Sequence, residues 1–140
     1  MQGGDLQAHY RERIIVVLEG VLAFVIPELR ATRWRKKVQV VTYHIQWHDV
    51  PLKRLAYLHD KYPDMDIEIV TFKDEKLADL AAEFLDQVGI PYASIKAVDF
   101  KRFVDSLRFE RHLRAVYDSD PENLDRYGQY GIAVVRGEDW

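Results

Sequence analysis

Ala115-Val116-Tyr117-Asp118-Ser119-Asp120-Pro121-Glu122-Asn123-Leu124 is an apolar run that ends in two carboxylates and then opens a helix. Asp120-Pro121 supplies an N-cap and a first helical residue. A strand that carries carboxylates to its C-terminal end is how many α/β proteins place a Mg²⁺ or phosphate site. An earlier stretch, Ile14-Ile15-Val16-Val17-Leu18-Glu19-Gly20-Val21-Leu22, has the same shape: an apolar run, then an acidic residue and a glycine. It holds Glu19 but no aspartate. The contrast between these two stretches governs the functional reading.

Outward from them, residues 14–18 form a continuous β-branched run, the pattern of a strand buried on both faces. Residues 23–26 and 38–45 are further β-prone runs, and together they predict a β-hairpin. Asp49 and Pro51 announce a helix whose apolar face is Leu52, Leu55 and Ala56. Residues 67–72 read as a strand. Asp74 opens a helix in which Leu77, Leu80, Ala81, Phe84, Leu85 and Val88 recur at helical spacing, and Gly89 is placed to close it. Residues 91–98 predict a short strand, 100–107 a short helix, 113–117 a strand, 121–128 a helix and 132–135 a last strand. The alternation from residue 67 onward argues a parallel sheet with helices on both faces.

A chain of 140 residues fits one domain with a real core. Residues 1–12 read as a flexible leader and 13–140 as the domain. Net charge is −3, so charge alone points to neither nucleic acid nor membrane. The absence of cysteine excludes disulfides, thiolate zinc sites and cysteine nucleophiles. No apolar run approaches the ~20 residues of a membrane span, so a cytoplasmic protein without membrane contact is expected.

With strand, carboxylates and spacing in place, the chain resembles the haloacid dehalogenase (HAD) superfamily of phosphatases. The likeness is closest to the compact, nearly capless branch that includes the phosphatase domain of polynucleotide kinase/phosphatases. It covers the chain from about Arg13 onward. The family's first motif is an apolar strand followed by Asp-x-Asp-Gly-Val/Thr-Leu. Here the frame is Val17-Leu18-Glu19-Gly20-Val21-Leu22. Val17 stands at the position of the nucleophile and Glu19 at that of the general acid/base. The second motif resembles Ile67-Glu68-Ile69-Val70-Thr71, with Thr71 as a phosphate-contacting hydroxyl. The third is a lysine, for which Lys101 in Asp99-Phe100-Lys101-Arg102-Phe103 is the first candidate and Lys96 the second. The fourth resembles Tyr117-Asp118-Ser119-Asp120-Pro121, whose acidic residues would hold Mg²⁺. The stretch Tyr127-Gly128-Gln129-Tyr130-Gly131-Ile132-Ala133-Val134-Val135 resembles the family's last helix-to-strand passage. The resemblance implies a three-layer, Rossmann-like parallel sheet with a small hairpin flap after the first strand.

The chemistry argues against the family's usual activity. Members form an aspartyl-phosphate, and the nucleophile must be a carboxylate at the strand tip beside Mg²⁺. Val17 cannot attack phosphorus, ligate a metal or accept a proton. Glu19 lies two residues along and is one methylene longer than aspartate, and a misplacement of about 1 Å costs ~100-fold in rate. Glu19, Asp118 and Asp120 would make at most a weak Mg²⁺ site, so no cofactor is expected. Asp120 is better explained as an N-cap and Asp118 as a turn residue, because capping fully accounts for an Asp-Pro pair.

Arg30, Arg33, Trp34, Arg35, Lys36 and Lys37 form a basic segment around an aromatic, a pattern that suits phosphates and unpaired bases. In a chain of negative net charge it reads first as a solvated hairpin tip. His44 and His48 are four apart on a strand reading, a span of roughly 13 Å, which is too long for one metal. Ser94, Ser106 and Ser119 lack a nucleophile-elbow context. The sequence therefore predicts a non-catalytic, phosphatase-like domain that binds a protein partner, in a setting that would suit a virus. A Mg²⁺-dependent phosphatase using Glu19, Thr71, Lys101, Asp118 and Asp120, and a nucleic-acid-binding module using the basic segment, are the competing readings.

Overall fold

The structure is a computed structural model that describes residues 11–31 and 37–140. A five-stranded parallel sheet runs in the order β5-β4-β1-β6-β7. Its strands are β1 (Arg13–Val17), β4 (Asp66–Thr71), β5 (Ser94–Ala97), β6 (Leu113–Asp118) and β7 (Val134–Arg136). Strands β2 (Ala23–Ala31) and β3 (Val38–Trp47) pair antiparallel in a separate two-stranded sheet. The helices are α1 (Asp49–Lys61), α2 (Glu75–Val88), α3 (Phe100–Leu107) and α4 (Pro121–Gln129).

The central strand explains the layering. Successive β1 side chains point to opposite faces, and both faces are apolar. Ile14 and Val16 pack in one core with Leu52 and Leu55 of α1 and Leu77, Ala81 and Leu85 of α2. Ile15 and Val17 pack in a second core with Phe103, Val104 and Leu107 of α3 and Tyr127 of α4. Helices thus flank the sheet on both faces.

The predicted elements are present, with shifts at their ends. β1 stops at Val17 rather than at residue 18, because Leu18–Leu22 forms a non-helical turn closed by the Ala23 N–H donating to the Leu18 carbonyl. Gly20 makes the turn possible with φ 92°, a left-handed conformation that is cheap for glycine. The turn leads straight into β2, so the hairpin follows β1 as expected. Both hairpin strands run past their predicted limits, and β5 and β7 are shorter than predicted or displaced. α1 begins at Asp49 after the N-cap His48, which places Pro51 in its first turn. Asp74 caps α2 by accepting from the Leu77 N–H at 3.0 Å, and Gly89 ends that helix with φ 74° and ψ 27°.

The root of the hairpin is anchored. Trp47 stacks on Phe84 of α2 at 4.4 Å, and the Tyr43 hydroxyl donates to Asp74 Oδ2 at 2.7 Å. Between Glu28↔Thr42 and Leu29↔Val40 the register shifts by one residue, a bulge on β3. Past it the strands leave the core. Leu29 is 57% exposed and Val38 63% exposed, and Val40 is exposed as well. The predicted leader lies outside the described residues for positions 1–10, and so do Arg33, Trp34, Arg35 and Lys36.

Candidate functional site

Strands β4, β1 and β6 are parallel neighbours in close register, with Val17 opposite Val70 and Val16 opposite Tyr117. Their C-terminal ends therefore converge, where ligands bind in open α/β sheets. Val17, Glu19, Phe72, Lys73, Phe100, Asp118, Asp120 and Asn123 line a cleft there of about 200 Å³. Of the residues expected at a site, Glu19, Thr71, Asp118 and Asp120 are gathered at this end.

Glu19 reaches across from the turn after β1 to the tip of β4. Its Oε2 accepts from the Thr71 hydroxyl at 2.9 Å and from the Phe72 N–H at 3.1 Å. Thr71 is fully buried, and its Oγ1 also accepts from the Lys73 N–H at 3.1 Å. Glu19 Oε1 is buried with no hydrogen-bond partner among the described residues. Burial raises the Glu19 carboxyl above its ordinary 4.5, and the two donors and the charge of Lys73 oppose that rise only in part.

Asp118 ends β6 at 1% exposure. Its Oδ1 accepts from the Asp120 N–H at 3.0 Å. Its Oδ2 accepts from Asn123 Nδ2 at 3.1 Å and from the Tyr127 hydroxyl at 2.8 Å. Desolvation still dominates and raises the Asp118 carboxyl above its ordinary 3.8. Burial, and then the charge of Asp118, push the Tyr127 phenol up. Asp120 is exposed, and its Oδ1 accepts from the Glu122 N–H at 2.9 Å, so it caps α4. The Ser119 hydroxyl donates to the Gly20 carbonyl at 2.9 Å, tying the two loops together.

The lysines fall differently from the sequence reading. Lys101 is exposed in the first turn of α3 and lines a cavity between α3 and α4 with Asn123, Arg126 and Tyr130. Lys96 is exposed on β5 and lines a cavity with Arg13 and Glu68. Lys73 is the lysine in the cleft, and it was missed. Its signal was its place two residues beyond Thr71, in the loop ahead of the Asp74 cap. Asn123 and Tyr127 were missed as well. Four residues apart on α4, they share one helix face, and both turn to Asp118.

The acidic oxygens at this end are unequally occupied, and Glu19 Oε1 alone is buried without a partner among the described residues. The Asp118 oxygens take three donors between them, Glu19 Oε2 takes two, and one Asp120 oxygen caps a helix. Among the described residues, no three histidine or acidic side chains are grouped to hold a metal ion. His44 pairs with Glu28 at 3.3 Å, and His48 Nδ1 lies 3.3 Å from the Val21 carbonyl. Of the basic segment, Arg30 and Lys37 are described, and both are exposed. Among the described residues no helix is long and apolar enough to cross a membrane. No family model matches the chain, and no curated protein matches its sequence.

Proposed function

We propose that this chain is a non-catalytic, HAD-like domain that serves as a binding module for a protein partner. One observation carries the reading. The side chain at the tip of the central strand, facing the cleft, is Val17, 1% exposed and apolar. A phosphoryl acceptor at that point must bring a carboxylate oxygen to the phosphorus. The nearest carboxylate along the chain, Glu19, is turned to the tip of β4, where its Oε2 accepts from Thr71 and Phe72. The strand order, and the hairpin emerging directly after β1, support the HAD-like assignment. The apolar residues that the distal hairpin leaves in solvent, with Phe24 at 56% exposure near its root, support a role in protein contact.

The convergence of Glu19, Thr71 and Asp118 makes a Mg²⁺-dependent phosphatase the competing reading, and an activity assay separates the two. Purified protein incubated with Mg²⁺ and p-nitrophenyl phosphate is expected to release no more product than heat-killed protein. Turnover by the unmodified chain that Asp118→Ala abolishes would overturn the non-catalytic reading.

A further inference from the structure

The tip of β4 brings two hydrogen-bond donors together. The Thr71 hydroxyl and the Phe72 N–H point to one place, and the Lys73 side chain lines the same cleft. Two neutral donors beside an ammonium make a cradle for an oxyanion. What sits in the cradle is the chain's own carboxylate, since Glu19 Oε2 takes both donors. Residue 19 reaches them because it is extended, with φ −72° and ψ 125°, just before Gly20 reverses the chain.

We propose that Glu19 is an internal occupant of an oxyanion site formed by Thr71, Phe72 and Lys73, and that it excludes a phosphate-type ligand. The inference deepens the non-catalytic reading of the cleft and rests on it. A phosphate oxygen entering the cradle must displace Glu19 Oε2 from both donors, because Thr71 has one hydroxyl proton and Phe72 one N–H. The displaced carboxylate would then share a small cleft with Asp118, Asp120 and the incoming anion. Like charges packed together oppose that exchange. Occupancy by Glu19 thus closes the site to anions in two ways, by filling the donors and by adding charge.

Two substitutions separate filling from charge. Glu19→Ala empties the cradle. Glu19→Gln removes the charge but keeps an amide oxygen that can accept from Thr71 and Phe72. Inorganic phosphate is titrated into the wild-type chain and both variants, following the backbone amide resonances of Phe72 and Lys73. A dispersed amide spectrum establishes that each variant is folded. The expected result is saturable shifts in Glu19→Ala with an affinity at least about tenfold above wild type and above Glu19→Gln, a gap of about 1.4 kcal/mol. Adding Thr71→Val to Glu19→Ala should remove most of that gain. If folded Glu19→Ala takes up phosphate no better than wild type, or if wild type binds it as tightly at these amides, the proposal is overturned. Phosphate-ester turnover, read separately, bears on the non-catalytic reading and leaves the binding comparison intact.

Discussion

Glu19 and Asp118 are two carboxylates in the lining of one cleft, and their surroundings set their behaviour. Both are raised by burial, and in both cases hydrogen bonds offset only part of the cost. For Glu19 the folded value lies above 4.5, so the folded chain holds that proton more tightly than the unfolded chain. The stability it contributes is fully present below 4.5 and is lost as pH rises through the raised folded value. Wild type should therefore lose stability relative to Glu19→Gln as pH climbs above 4.5. Asp118 acts in the same direction but is present in both proteins, so it drops out of the difference. Urea denaturation at a series of pH values measures this, and parallel pH profiles for the two proteins would contradict it. Tyr127 supplies a second test. Its hydroxyl is buried against Asp118 Oδ2, and a hydrogen bond to a charged group contributes about 1.5–3 kcal/mol. Tyr127→Phe should lower the urea midpoint by that equivalent with an unchanged m-value. A midpoint equal to wild type would mean the bond contributes nothing.

At the scale of elements, much of the fold was legible because the decisive patterns are local. The β-branched run at β1 reads as a two-faced buried strand, and it splits its side chains between the two cores. The caps at Asp74 and Asp120 are visible as acidic residues ahead of helical spacing, and each accepts a backbone N–H, as does Asp99 ahead of α3, which the sequence reading did not single out. Asp120→Ala should cost about 1 kcal/mol, the ordinary loss for an N-cap, read as a fall in melting temperature. The turn after β1 was not legible. Its course depends on Gly20 at φ 92° packed against the loop after β6, a contact between residues far apart in sequence. A Cβ at Gly20 would lie 3.3 Å from Ser119 Cβ, in a left-handed backbone that L residues resist. Gly20→Ala should therefore destabilise by roughly 1–2 kcal/mol from the backbone alone. Thermal denaturation checks it, and an unchanged midpoint would show that the turn is not built as described. The cleft was legible in part. Glu19, Thr71 and Asp118 follow from strand ends, but a lysine was sought on α3 because the resemblance suggested it there. Lys73 reaches the cleft from the loop after β4 because β4 neighbours β1, and that neighbourhood is a property of the sheet order.

At the scale of the whole molecule, a three-layer body carries a hairpin whose root is bolted to α2 and whose far half leaves the core. The body builds a polar end on the sheet, and the chain spends most of that polarity on itself. Asp118 is held by Asn123, Tyr127 and a backbone N–H, and Glu19 by Thr71 and Phe72. What remains at the tip of the central strand is a valine. The most direct test of the non-catalytic account is the mass of the intact protein after incubation with acetyl phosphate and Mg²⁺, quenched in acid to preserve any acyl-phosphate. The account predicts the unmodified mass alone. A phosphorylated species whose site maps to Glu19 or Asp118 would contradict it.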